Sequence, residues 1–158
     1  MKIISANLNG IRSAAKKKFF DWMAKQDTDF VCVRELKAQH VDMTPEFLAP
    51  HGFHGHFHYA EKKGYSGTGV YSRLKPGAVT IGFGNEEFDA EGRYVQCDFE
   101  KLTVISLYSP SGSSSDERQQ AKFRFMDVFL PHLQSLRQTG REVVICGDWN
   151  IAHKEIDL

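Results

Sequence analysis

The chain has 158 residues, enough for one domain, and 41% of them are hydrophobic, which excludes a disordered or purely polar segment. Twenty Lys and Arg balance twenty Asp and Glu, so a polybasic coat protein is excluded. A polyanionic partner would have to be met by a local basic face and not by net charge.

Residues 2–6 read as a short buried strand, followed by the loop Asn7-Leu8-Asn9-Gly10. One helix is expected over about 13–25, with Ala15, Phe19, Trp22 and Met23 at helical spacing and lysines opposite. The apolar run 30–33 is a second strand leading into Arg34-Glu35. Strand, helix, strand with short connections predicts a parallel crossover unit. Four further strands are expected over 65–73, 78–83, 93–99 and 102–108, separated by turn residues, with an antiparallel texture. Ser115-Asp116-Glu117 opens a second long helix, with Phe125, Met126, Phe129, Leu130, Leu133 and Leu136 as its apolar stripe. Pro131 is expected to kink it and Gly140 to stop it. Residues 142–146 form a last strand that ends in Gly147-Asp148-Trp149-Asn150. The three cysteines, Cys32, Cys97 and Cys146, sit in strand-like runs without close spacing. That excludes a disulfide framework or a CxxC zinc site and predicts buried reduced thiols. The N-terminal apolar run is too short for a signal peptide, and no stretch nears the ~20 apolar residues of a membrane span. A cytoplasmic protein with no membrane partner is the expectation.

The informative pattern is where the polar residues fall. Three apolar strands end in acids or amides, namely Asn7 with Asn9, Glu35, and Asp148 with Asn150, and a fourth ends at Tyr108. If these strands finish on one side of a sheet, the residues form a cup of carboxylates and amides with a phenol at its rim. Oxygen donors of that kind suit magnesium or manganese rather than zinc, and such a cation neutralises a phosphate and activates water. Asp and Asn also follow strands simply because they make turns and caps, and spacing alone does not name a reaction. A rival cluster, His51, His54, His56 and His58, alternates over its last three members, so a strand would put them on one face. No Cys or carboxylate lies close by in sequence, which favours sheet-packing histidines over a zinc or nickel site.

Six motifs carry a resemblance: SANLNGIRSA at 5–14, VRELKAQ at 33–39, GYSGTGVYSR at 64–73, FDAEGRYVQCDF at 88–99, LYSPSGSS at 107–114 and GDWNIAHKEIDL at 147–158. In this order they resemble the exonuclease III class of apurinic/apyrimidinic endonucleases, within the endonuclease/exonuclease/phosphatase superfamily. The resemblance implies an α/β fold (α+β in its mixture of pairings): half or more of a four-layer sandwich, with mixed sheets inside and helices outside. It implies a magnesium-dependent nuclease, with manganese as the alternative ion, that hydrolyses the phosphodiester at abasic sites, with 3′-exonuclease and 3′-phosphatase action. The partner would be double-stranded DNA with abasic or 3′-blocked ends. By the same resemblance Asn7, Glu35, Asp148 and Asn150 line the metal. Asp148 orients or deprotonates the attacking water, Asn150 holds the phosphate or that water, and Tyr108 places its hydroxyl at the reacting phosphate. Asn9, Arg12, Lys37, Tyr65 and Arg93 are the DNA-contacting candidates, with Lys62 and Lys63 beside them.

Two positions depart from the family pattern. Arg34 stands where glutamine is usual, and a permanent charge there is expected to pair with Glu35 and compete with the metal. Ser109 stands where an aliphatic or aromatic residue is usual, which predicts a lost packing contact of about 1–2 kcal/mol. The chain is expected to be the N-terminal part, residues 1–158, of one such domain, with a C-terminal part absent; His153 lies within the last motif and cannot replace groups from that part. Two other readings follow: an incomplete fragment that binds DNA or needs a complementing half, and a phosphatase of the same superfamily. The family is usually monomeric, but cutting a sandwich is expected to expose a sheet face and drive self-association.

Overall fold

The computed structural model describes residues 1–152 and 154–157. The chain opens with β1 (Ile3–Asn7), two short helices α1 (Ile11–Lys16) and α2 (Phe19–Ala24), and β2 (Phe30–Arg34). β1 and β2 pair in parallel, with Ile3 opposite Phe30 and Asn7 opposite Arg34, so the expected crossover is present. The single helix expected over 13–25 is two helices. Lys18 takes a left-handed φ of 65° and breaks them. The break rotates the apolar face, so that Ile11, Ala14, Phe20 and Met23 are buried while Trp22 is exposed.

A short helix α3 (Pro45–Leu48), capped by Thr44, leads into β3 (His54–His58), and β4 (Thr68–Ser72) follows. β4 is antiparallel to both β2 and β3, giving a first sheet in the order β1-β2-β4-β3. The strand expected over 65–73 therefore belongs to this sheet, and not to the antiparallel run that follows it. Turn residues Lys75-Pro76-Gly77 carry the chain across to a second sheet: β5 (Ala78–Ile81), then helix α4 (Glu86–Asp89), β6 (Tyr94–Asp98) and β7 (Leu102–Tyr108). Helix α5 (Asp116–Arg137) returns the chain to β8 (Glu142–Asp148), parallel to β7, and the order is β5-β6-β7-β8. Ser115 caps α5 by accepting from the Arg118 amide, with Asp116 and Glu117 in the first turn to offset the helix dipole. The helix runs unbroken through Pro131, and Gly140 (φ 71°) turns the chain after its end.

The two sheets pack face to face, and helices cover their outer faces. Strand alternation assigns the layers. Val31, Val33 and Tyr71 face α1, α2 and α3 with Phe20, Met23 and Phe47, whereas Cys32, Val70, Val95, Cys97 and Val104 meet between the sheets. On the far side, Tyr94, Ile105 and Leu107 meet Phe125, Phe129 and Leu136 of α5. β2, β4 and β6 are buried along their whole length because both of their faces are covered. Each large side chain fully buried in this way contributes about 1.5–3 kcal/mol. Cys32, Cys97 and Cys146 are free thiols, and among the described residues no helix is long and apolar enough to cross a membrane.

Candidate active site

Both parallel pairs, β1 with β2 and β7 with β8, end at the same margin of the sandwich. Asn7, Arg34, Tyr108 and Asp148 are the last residues of these four strands, with Asn7 opposite Arg34 and Tyr108 opposite Asp148 in register. The exit loops are then locked to one another by their backbones. The Leu8, Gly10 and Ile11 amides donate to the Arg34, Glu35 and Leu36 carbonyls at 2.8–3.0 Å, while the Leu36 and Lys37 amides donate to Gly67 and Ser66. Glu35 and Lys37 are held in left-handed backbone (φ 54° and 48°), a conformation costing about 1–2 kcal/mol per residue. Gly67 (φ 87°) lets its loop press against Leu36, since a Cβ there would lie 3.0 Å from the leucine Cβ.

One amide joins the two carboxylates. Asn7 Nδ2 donates to Glu35 Oε1 and to Asp148 Oδ2, each at 2.9 Å. Its other end is fixed because Asn7 Oδ1 accepts from the Asn9 amide at 3.0 Å. The Tyr108 hydroxyl donates to Glu35 Oε1 at 3.2 Å. Lys37 Nζ lies 2.9 Å from Glu35 Oε2 and donates to Asn9 Oδ1 at 2.6 Å. Burial works to raise the Glu35 carboxyl, but hydrogen bonds from Asn7 and Lys37, the Lys37 charge and the Tyr108 hydroxyl together hold it below its ordinary value. Tyr108 is pushed up to about 12 by burial and by the Glu35 charge, so its hydroxyl stays a donor at neutral pH.

Arg34 does not pair with Glu35. Its side chain follows Cys32 toward the space between the sheets, reaches the end of β8, and donates from Nη2 to Asp148 Oδ1 at 2.8 Å and from Nη1 to Ser5 Oγ at 2.7 Å. Glu35, one residue later, lies past the end of β2, and its left-handed backbone (φ 54°) breaks the strand alternation and brings its carboxylate to Asn7 and Tyr108 in the cup. Ser109 likewise is more than a missing packing contact. It is buried, its hydroxyl donates to the Trp149 carbonyl, its amide donates to the Asp148 carbonyl at 2.9 Å, and its carbonyl accepts from Asn150 Nδ2 at 2.8 Å. Asn150 is thus turned toward the loop after β7 and does not join the Asn7–Glu35–Asp148 chain of bonds. Arg12, largely exposed, reaches Asp42 at 3.4 Å.

Arg93, a candidate for DNA contact, is only 1% exposed, and its donors are spent inside the protein: Nε on Glu91 (2.6 Å), Nη1 on the Tyr108 carbonyl (2.8 Å) and Nη2 on the Tyr65 hydroxyl (3.0 Å). It stands behind the two tyrosines, not on the surface. Arg118 of α5 completes this cluster by donating to Glu91 at 2.8 Å and to the Tyr65 hydroxyl at 3.3 Å. Glu91 is held below its ordinary value, against burial, by these two guanidiniums. Neither Glu91 nor Arg118 stands out in the sequence as a site residue. The one local signal was that Glu91 precedes Arg93 inside a matched motif. Tyr65 shares the Arg93 guanidinium with Tyr108, and Lys62 Nζ lies 5.5 Å from the centre of the Tyr65 ring.

The donor set fits a hard divalent cation. Two carboxylates are tied through one amide, and a lysine ammonium already rests where Glu35 Oε2 and Asn9 Oδ1 converge on positive charge. Among the described residues no group of three or more His, Cys, Asp or Glu could hold a metal, so neutral oxygens would have to complete any coordination here. Of the β3 histidines, His56 and His58 are half-buried and His54 is exposed. His58 Nδ1 lies 3.0 Å from the Tyr94 carbonyl, and burial lowers both His56 and His58. His153 lies outside the described residues.

Comparison with known proteins follows this geometry. A family model described as the Endonuclease/Exonuclease/phosphatase family matches residues 4–158. The chain is 39% identical to an exodeoxyribonuclease of Bacillus subtilis, aligning 100% of the chain and 62% of that protein. It is 35% identical to a DNA-(apurinic or apyrimidinic site) endonuclease of Dictyostelium discoideum, over 100% of the chain and 44% of that protein. An AP endonuclease structure from Archaeoglobus fulgidus superimposes with a TM-score of 0.85 at 26% identity, covering 99% of the chain and 60% of that protein. The chain therefore spans less than two thirds of the length of each.

Proposed function

We propose, on the premise that the chain belongs to the endonuclease/exonuclease/phosphatase family, that it carries the cation-binding part of a DNA-repair nuclease cutting the phosphodiester at abasic sites, with 3′-trimming and 3′-phosphatase action on blocked ends. The observation that carries this reading is the bonded set Glu35–Asn7–Asp148 with Tyr108 on Glu35, assembled from four strand ends. Glu35 Oε2 and Asn9 Oδ1, where the Lys37 ammonium rests, would hold magnesium, or manganese in its place, with Asn7 beside them. Such an ion, when bound, neutralises phosphate charge and lowers the pKa of water. Asp148, fixed at both oxygens, orients the attacking water and takes its proton. Tyr108, protonated at neutral pH, donates to a phosphate oxygen as charge develops there. Lys37, 37% exposed, would pair with a DNA phosphate if a cation took its place on Glu35, and Tyr65 with Lys62, Lys63 and Arg12 would line the approach. Asn150, in the loop beside Asp148, contacts the phosphate once its bond to Ser109 opens.

The test is incision of an abasic-site duplex with magnesium, with and without EDTA, comparing the protein with Glu35→Ala and Asp148→Asn. Metal-dependent nicking that both changes abolish is expected, with each loss about 10³-fold or more. Nicking that persists in either variant overturns the assignment. The share of each relative that the chain spans supports a second reading, in which this stretch binds DNA but cuts only with a complementing C-terminal piece. Retained duplex binding without nicking, restored on adding that piece, is its signature.

A further inference from the structure

The guanidinium at the end of β2 introduces a permanent positive charge beside the two carboxylates. Arg34 is buried to 6% side-chain exposure, and its Nη2 takes Asp148 Oδ1 while Asn7 takes Oδ2, so each oxygen of that carboxylate is anchored by one bond and keeps a further lone pair to accept from water. Ser5 Oγ holds Nη1 and fixes the guanidinium plane, and Nε is buried without a partner. The side chain bridges β1, β2 and β8, and Asp148 is the carboxylate it pairs with, while its charge also reaches the Cys32 and Cys146 thiols. Glu35 has a different cation, Lys37, which is 37% exposed and free to leave. The two carboxylates thus differ. The charge on Glu35 can be exchanged for a metal ion, whereas the charge on Asp148 is built into the fold.

We propose that Arg34 is a positioning residue that keeps Asp148 out of the cation's coordination, so that the centre takes one divalent ion, on the Glu35 side, and Asp148 remains available to the attacking water. This rests on the nuclease reading only for the role of Asp148; the ion count stands apart from it. A fixed guanidinium cancels one of the two negative charges that would otherwise draw a second cation, and affinity for hard ions follows the charge of the ligand set.

The experiment is a manganese titration of the protein without DNA, reading free Mn2+ by electron paramagnetic resonance. The unmodified protein should bind one Mn2+ and lose it in Glu35→Gln. Arg34→Gln, which removes the charge but keeps an amide donor, should bind Mn2+ at least about ten-fold tighter or take a second ion, since the charge on Asp148 is no longer cancelled. Adding Asp148→Asn to that variant should erase the gain, and Arg34→Lys should fall between. Two Mn2+ on the unmodified protein overturns the proposal, whether or not the variants fold. So does an Arg34→Gln protein with unchanged circular dichroism and unchanged or weaker Mn2+ binding. A protein that binds one ion as described yet never nicks abasic duplex overturns the nuclease reading and leaves the Arg34 assignment in place. Nicking combined with either adverse titration does the reverse.

Discussion

The role proposed for Tyr108 rests on one hydroxyl. Its ring packs under the Arg93 guanidinium, 5.0 Å from the ring centre, while the hydroxyl donates to Glu35 Oε1. Tyr108→Phe keeps the ring and removes only the donor. Stability should change by no more than about 1 kcal/mol, whereas single-turnover incision should slow by about 10²-fold, as for the loss of one preorganised donor. An unchanged rate beside an unchanged melting curve would remove Tyr108 from the chemistry. The residue types of this cup were legible in the sequence, because Asn7, Glu35, Tyr108 and Asp148 each end, or immediately follow, an apolar run. Their partners were less so. Arg34 was expected on Glu35, its neighbour in sequence, but the two-residue period of a strand turns it under the sheet to Asp148. Arg93 was expected at the surface, and its burial depends on Glu91 and Arg118, which no local pattern couples.

Among the elements, β6 and α5 are joined by a charge cluster that supports the site from behind. Glu91, just before β6, accepts from Arg93 at 2.6 Å and from Arg118 at 2.8 Å, and both guanidiniums also reach the Tyr65 hydroxyl. Glu91→Gln leaves two cations beside a neutral acceptor and should cost about 2 kcal/mol at neutral pH, discounted for partial exposure. The sign of the pH dependence follows from the carboxyl being lowered in the folded protein. Its contribution is fully present above the ordinary value of 4.5 and is lost as pH falls through the folded value. Urea unfolding should therefore show the variant weaker at pH 7, with the gap closing as pH falls below 4.5; a gap that widens in acid would contradict the cluster. The β7–α5–β8 unit was readable because its signals are local: a Ser-Asp-Glu cap, a long stripe and Gly140. The partition of strands between two sheets was not, since alternation says which face a residue takes and not which strand lies beside it. The helix break at Lys18 was hidden too, because it depends on Phe20 docking against Phe47 and Tyr71 rather than on a breaker residue.

For the whole molecule, the open surface differs from the one expected of a divided sandwich. The inner faces of β2, β4, β6 and β7 cover each other within this chain, whereas β5 is exposed along its length. β1, β3, β5 and β8 are the edge strands, and β1 lies beside β8 at one margin. Beside β8, an apolar hollow lined by Phe129, Leu130, Trp149 and Ile151 continues along α5 past Met126. An unpaired strand edge next to exposed apolar side chains favours pairing with another chain. The chain by itself is therefore predicted to self-associate at tens of micromolar through this margin, with a second copy as the occupant. Met126 and Leu130 are 45% and 57% exposed, so a Met126→Lys, Leu130→Lys double variant should fold with little loss, each change within about 0.5 kcal/mol. Sedimentation velocity should show the unmodified chain heavier than a monomer and the double variant shifted to monomer. A monomeric unmodified chain at the same concentration would overturn this prediction and leave the β8 edge without a partner in solution.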